Sequence, residues 1–223
     1  MIKVQNNPPQ YILDDFNFPS PWENYEDGFV GVSFDLHPKR LLNGYSNGFF
    51  PWYKEENMFF WFLLDERLIF KTDKIKTTKR LRQKLRSKKW DFRINTNFEK
   101  VIRMCASVER KEGATWIDED FIQAYTLLHR LGFALSVESY YEGELVGGFY
   151  GVAINKYFSG ESMFHIKSDA SKLALIYFCD LLKEQGIEFI DGQVPNDFLL
   201  SMGGEIMKKE EYIPLIQKAA TGK

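Results

Sequence analysis

The chain has 223 residues, 44% of them hydrophobic and 27% charged, with a formal net charge of −2. That is enough apolar mass for one large domain, or a large domain carrying a small one. No segment approaches the roughly 18 consecutive apolar residues of a membrane span, and the opening stretch MIKVQNNPPQ has no basic start leading into an apolar run. A soluble, unexported chain is expected, and two cysteines, Cys105 and Cys179, supply neither a disulfide framework nor a cysteine-rich metal site.

Up to about Arg67 the sequence is dense in aromatic and turn residues (Pro19, Pro21, Trp22, Gly28, Pro38, Gly44, Gly48, Pro51, Trp52), which predicts short, irregular elements. His37-Pro38 opens a short helix, with proline tolerated in the first turn and Gly48 as its stop. The segment from Lys71 to Arg93 then holds eleven basic residues against two acidic ones, a net of +9 within 23 residues, while the remainder of the chain sums to −11. A basic patch on an acidic body predicts a polyanionic partner held in one orientation. Leu81 and Leu85 share one helical face there, and Arg82 and Arg86 share another.

From Phe98 the pattern becomes regular. Phe98, Val101, Ile102 and Cys105 predict one amphipathic helix. Asp118 as cap, then Phe121, Tyr125, Leu128, Leu131 and Gly132, predict a second. Leu135–Tyr140, Leu145–Ala153 and Tyr157–Phe164 read as an antiparallel meander, the first pair joined by a Glu142-Gly143 turn. A third helix over Ala170–Gln185, with Ser168 as a candidate cap and Gly186 as its end, feeds an apolar strand at Glu188–Ile190. The expected fold class is α+β: a small N-terminal α/β subdomain over residues 1–67, then a domain over 68–223 with a mixed, largely antiparallel sheet.

Several segments in succession resemble the leucyl/phenylalanyl-tRNA–protein transferases: Phe18–Pro21 (FPSP), Arg40–Tyr53 (RLLNGYSNGFFPWY), Thr115–Ile117 (TWI), Ser136–Ala153 (SVESYYEGELVGGFYGVA), Phe158–Leu175 (FSGESMFHIKSDASKLAL) and Asp191–Asp197 (DGQVPND). The resemblance implies an acetyltransferase-like second domain and an enzyme that moves leucine or phenylalanine from a charged tRNA to the N-terminal α-amine of acceptor proteins, marking them for degradation. An ester donor is already activated, which agrees with the lack of a GxxxxGK[ST] loop. No cofactor and no metal is expected. The expected partners are the acceptor stem and 3′ end of aminoacyl-tRNA and the N-termini of proteins, met by a cytoplasmic monomer.

By the same resemblance Asp191, Gln193 and Glu161 are the catalytic residues. Asp191 and Gln193, at i and i+2 after a strand, can share a face. The resemblance makes Gln193 the acceptor of the amine proton; as a neutral amide is a poor base, positioning and oxyanion contact are expected as its main role, with Asp191 also able to hold the acceptor's ammonium. Glu161 is placed near the donor's amino group, and Phe158 and Met163 line the donor side-chain pocket. Trp52 and Trp116 bracket the terminal adenine, Tyr45 and Tyr125 contact ribose or phosphate, and Asn196 shapes the loop beside the pair. Lys79, Arg80, Arg82, Lys84 and Arg86 hold the tRNA through phosphates.

Four departures from the family pattern (Ser33-Phe34-Asp35-Leu36, Phe60-Trp61-Phe62-Leu63, the lack of a customary His before the basic helix, and Gly192) leave donor and acceptor identity open, an arginyl donor and acidic N-termini included. An acyl-coenzyme A-dependent N-acyltransferase would want a Q/R-x-x-G-x-G/A turn, which the sequence lacks. A non-catalytic RNA-binding module would leave Asp191 and Gln193 without a role.

Overall fold

The computed structural model describes residues 13, 15–108 and 115–222. The opening ten residues, read above for an export signal, lie outside them. The first third is more regular than its turn-rich composition predicts. Strands β1 (Phe29–Ser33), β2 (Phe50–Glu55) and β3 (Met58–Phe62) form an antiparallel sheet in the order β1-β3-β2. Its aromatic content explains why: Tyr53 stacks on Phe60 with ring centroids 4.8 Å apart and Trp52 meets Phe62 edge-on at 5.0 Å, the cross-strand pairs that stabilise a sheet. Trp61 is fully buried and donates its indole N–H to Ser33 Oγ at 2.9 Å, so two of the departing motifs bond to each other.

Helix α1 (Pro38–Ser46) runs as expected, with the His37 ring accepting from the Lys39 amide and Pro38 in the first turn. Gly48, at φ +86°, ends the turn that leaves it.

The second sheet has seven strands in the order β10-β4-β9-β8-β7-β6-β5. These are β4 (Glu66–Lys71), β5 (Trp90–Ile94), β6 (Ala134–Tyr141), β7 (Glu144–Ile154), β8 (Tyr157–His165), β9 (Phe189–Gln193) and β10 (Glu205–Lys208). The meander β6-β7-β8 is antiparallel as read from the sequence, whereas β8 and β9 run parallel and pair at one position, Ser159 opposite Asp191, before parting. The sheet is therefore mixed and largely antiparallel, and the fold is α+β. Strands β4, β5 and β10 escaped the sequence reading, as did α6 (Asp197–Ser201) and α7 (Lys209–Ala220).

Alternate residues of β7 serve two cores. Phe149 packs toward α5 (Ala170–Glu184), and Tyr150 packs the other way, toward α3 (Phe98–Ala106) and α4 (Glu119–Arg130). Phe98, Val101, Ile102 and Cys105 are all buried, as predicted. Leu131 is not: it follows the last turn of α4 and is 51% exposed. The N-cap position of helix α5 is held by Asp169, in a left-handed conformation at φ +70° and with no capping bond from its side chain, and not by Ser168. Nine of its residues are buried, so truncating a central leucine there costs about 2–5 kcal/mol.

Helix α2 (Lys79–Leu85) rests on the body through Leu81, with Thr78 as its cap. Its charged face is only partly free. Arg82 is paired with Asp180, and Lys84 reaches Asp169 at 2.6 Å. Lys79, Arg80 and Arg86 are exposed, and among the described residues none of them makes an ion pair.

Candidate active site

Where β8 and β9 part, a cleft of about 670 Å³ opens, lined by β2, β8, β9 and the segments around Trp116 and Asn196. Eight of the ten residues expected in catalysis or donor binding line it: Trp52, Trp116, Phe158, Glu161, Met163, Asp191, Gln193 and Asn196. Strand β9 reaches further than the predicted Glu188–Ile190, so Asp191 and Gln193 lie within it and not beyond it.

Between them the register of β9 against β4 slips: Ile69 faces Asp191 while Leu68 faces Gln193. Gln193 takes φ +57°, a left-handed conformation that costs a side-chain-bearing residue roughly 1–2 kcal/mol. A bulge of this kind re-aims side chains beside a site. Its strain is offset locally, because the Gln193 amide donates to Asp191 Oδ1 at 2.8 Å.

Asp191 is wholly buried and its two oxygens are fully engaged. The Arg67 guanidinium grips it through Nε (2.9 and 3.1 Å) and Nη2 (2.7 Å), and Tyr157 donates its hydroxyl at 2.6 Å. The expectation that Asp191 also holds an acceptor ammonium does not fit: no carboxylate oxygen is open to the cleft. Arg67 is also wholly buried. Burial alone would lower its pKa, but the adjacent Asp191 carboxylate outweighs this and holds it above its ordinary value. Such a pair, broken on one side, strands a charge in the core.

The Gln193 carboxamide has a defined orientation. Its Nε2 donates to Ser159 Oγ at 3.0 Å and to Glu161 Oε1 at 2.7 Å. The NH₂ edge facing Glu161 matches the ionised form of that residue, which only accepts. Both hydrogens are thereby used, and Oε1 accepts from no side chain among the described residues. The oxyanion contact expected of Gln193 would need one of these N–H groups to leave Ser159 or Glu161.

Tyr45 and Tyr125 are not at the surface of the cleft. Both are wholly buried, 2.5 Å apart at their hydroxyls, and Tyr125 donates to Glu161 Oε2 at 3.3 Å. Burial first, and Glu161 second, hold both phenols far above their ordinary pKa, so they remain donors. Neither is among the residues lining the cleft, and both stand behind Glu161. Burial pushes Glu161 itself up to about 7, against the hydrogen bonds from the two tyrosines.

Arg67, Tyr157 and Ser159 went unnoticed in the sequence. Tyr157, Ser159 and Glu161 stand at i, i+2 and i+4 of β8 and meet Asp191 and Gln193 across the parallel pair, a period-two signal that was legible. Arg67 had a signal too: an arginine opening the run Arg67-Leu68-Ile69-Phe70 must find a buried anion if that run is a central strand.

Among the described residues there is no cluster of three or more metal-ligating side chains and no helix long and apolar enough to cross a membrane. The family model for leucyl/phenylalanyl-tRNA protein transferase matches residues 69–217, and that for the N-terminal domain of the same enzymes matches 34–64. The leucyl/phenylalanyl-tRNA–protein transferase of Sulfurimonas denitrificans is 41% identical, covering 94% of this chain and 92% of the relative. That of Maridesulfovibrio salexigens is 41% identical over 93% of this chain and 88% of its own. Among solved structures, a GCN5-related N-acetyltransferase from Kribbella flavida aligns with a TM-score of 0.39 at 10% identity, covering 64% of this chain and 55% of that one. On the family models and the extent of these relatives, the chain belongs to the leucyl/phenylalanyl-tRNA–protein transferase family.

Proposed function

We propose that this chain transfers leucine or phenylalanine from charged tRNA to the N-terminal amine of acceptor proteins in the cytoplasm, through the cleft between β8 and β9. The observation that carries the reading is the Gln193 carboxamide, anchored on Ser159 and Glu161 in the lining of a cleft that two tryptophans also line.

The chemistry needs little more. The attacking α-amine has an ordinary pKa of about 7.7–8.0, so part of it is neutral at cytosolic pH. Its nitrogen bonds to the ester carbonyl carbon, the bond from that carbon to the ribose oxygen breaks, and the amine's proton ends on the leaving ribose hydroxyl. Gln193 Oε1 accepts an N–H of the amine and aims its lone pair at the carbonyl. Alignment of this kind is worth up to roughly 7–11 kcal/mol of barrier. Asp191 touches no reacting atom in this scheme and acts by holding the Gln193 backbone.

Glu161, ionised, receives the donor's α-ammonium, whose arrival favours the charged carboxylate. Phe158 and Met163 contact the donor side chain, Trp52 and Trp116 stack on the terminal adenosine, and Asn196, capping α6 through the Leu199 amide at 2.9 Å, fixes the loop after the pair. The exposed Lys79, Arg80 and Arg86 meet phosphates of the acceptor stem. Arg82 and Lys84 take part at the cost of their ion pairs with Asp180 and Asp169.

The test is to offer tRNAs charged with individual labelled amino acids, together with peptides of different N-termini, and to follow label into peptide. Transfer from leucyl- or phenylalanyl-tRNA is expected. Transfer from no aminoacyl-tRNA would overturn the reading.

A further inference from the structure

Arg67 lies at the start of β4, outside the residues assigned to donor or acceptor, yet it joins two parts of the site. Nε and Nη2 hold Asp191, while Nη1 donates to the Gly48 carbonyl at 2.7 Å. Its guanidinium lies 4.8 Å from the centroid of the Phe50 ring and 5.5 Å from that of Tyr212. Phe50 opens the strand that carries Trp52, and the two rings are 6.0 Å apart. One planar cation therefore touches the loop entering the strand that bears the tryptophan and the carboxylate that holds Gln193. Its fork is filled on both edges, a geometry that an ammonium cannot reproduce.

We propose that Arg67 is a positioning residue for transfer: it fixes the Asp191 carboxylate, which keeps the Gln193 backbone left-handed and its carboxamide oxygen in register with the Trp52 strand. The inference rests on the function proposed above for that site. It assigns Arg67 no contact with substrate. Losing its fork should lower turnover while leaving substrate binding almost unchanged, because the tryptophans and the basic helix remain in place.

The experiment compares kcat per folded molecule, peptide KM and tRNA Kd for the parent, Gln193→Ala, Arg67→Lys, Asp191→Asn and Arg67→Met combined with Asp191→Asn. Thermal melts give the folded fraction. Arg67→Lys is expected to lose up to roughly 100-fold in kcat, with KM and Kd within about twofold. If Arg67 acts through Asp191, their effects are not additive, and adding Arg67→Met to Asp191→Asn changes kcat by less than about threefold. The double variant holds no stranded buried charge, so it keeps the inference testable even where Arg67→Lys or Asp191→Asn does not fold: the double variant at parental kcat overturns it. Arg67→Lys at parental kcat, or a further tenfold loss on adding Arg67→Met to Asp191→Asn, overturns this inference alone. A parent that transfers nothing, or Gln193→Ala at the parental rate, overturns the proposed function and this inference together.

Discussion

The network around Asp191 and the charged face of α2 treat charge in opposite ways. In the first, Arg67 and Asp191 are both wholly buried and every acceptor position of the carboxylate is taken. In the second, Lys79, Arg80 and Arg86 are exposed while their neighbours Arg82 and Lys84 are tethered to the body. A buried pair is insulated from salt and intolerant of substitution; an exposed patch within a Debye length of solvent ions is the reverse. Chemistry and capture of the donor should thus fail under different perturbations.

The sharpest way to break that contrast is Asp191→Ala. It strands the Arg67 charge, and a loss of about 3–5 kcal/mol of stability is expected from denaturant melts, with transfer reduced by at least about 100-fold per folded molecule. A stable, active variant would place Asp191 outside the site.

Glu161→Gln is expected to show a different signature. Glu161 has a folded pKa of about 7, above its ordinary value of 4.5, so the folded state binds more protons than the unfolded one between these limits. Stability contributed by the protonated form is complete below about pH 4.5 and is lost as the pH rises through 7, on the order of 3 kcal/mol in all. Parent melts should weaken across that window, and Glu161→Gln should flatten the dependence and melt higher than the parent at pH 8. Transfer by the parent should rise through pH 7 as Glu161 ionises, and the variant should lack that limb.

Smaller effects fall on donor capture. Trp52→Ala or Trp116→Ala should weaken donor binding by about 1–3 kcal/mol, read as a raised Kd for aminoacyl-tRNA with little change in its salt dependence. Neutralising Lys79, Arg80 or Arg86 should each lower the slope of log K against log salt by roughly 0.7–0.9. Neutralising Arg82 or Lys84 should change it less, since each is already balanced by a carboxylate. Equal slopes for all five would erase the distinction drawn between free and tethered cations.

The sequence made the elements with strong local signals legible. The helices over Phe98–Ala106 and Glu119–Arg130 and the meander were found within a residue or two, because period and caps agree there. Strand β4 was missed because its partners β9 and β10 are more than a hundred residues away, and pairing at that distance leaves no local trace. The same holds for the site. The family resemblance named Asp191, Gln193 and Glu161, but only the fold shows that Asp191 is saturated by Arg67 and Tyr157. Likewise, it takes the fold to show that Tyr45 and Tyr125 stand behind Glu161 and not in the cleft lining.

Gly48 reads in the sequence as punctuation, the residue that stops a helix. A side chain there is disfavoured, because its φ of +86° suits few other residues and a Cβ would lie 2.5 Å from Ile213 Cδ1, which would have to shift. Its carbonyl also completes the Arg67 fork. Change at this turn is therefore constrained twice, by backbone shape and by a bond to the guanidinium that holds Asp191. A screen that scores variants by activity alone would map Gly48 to the active centre, although it lies outside the cleft lining.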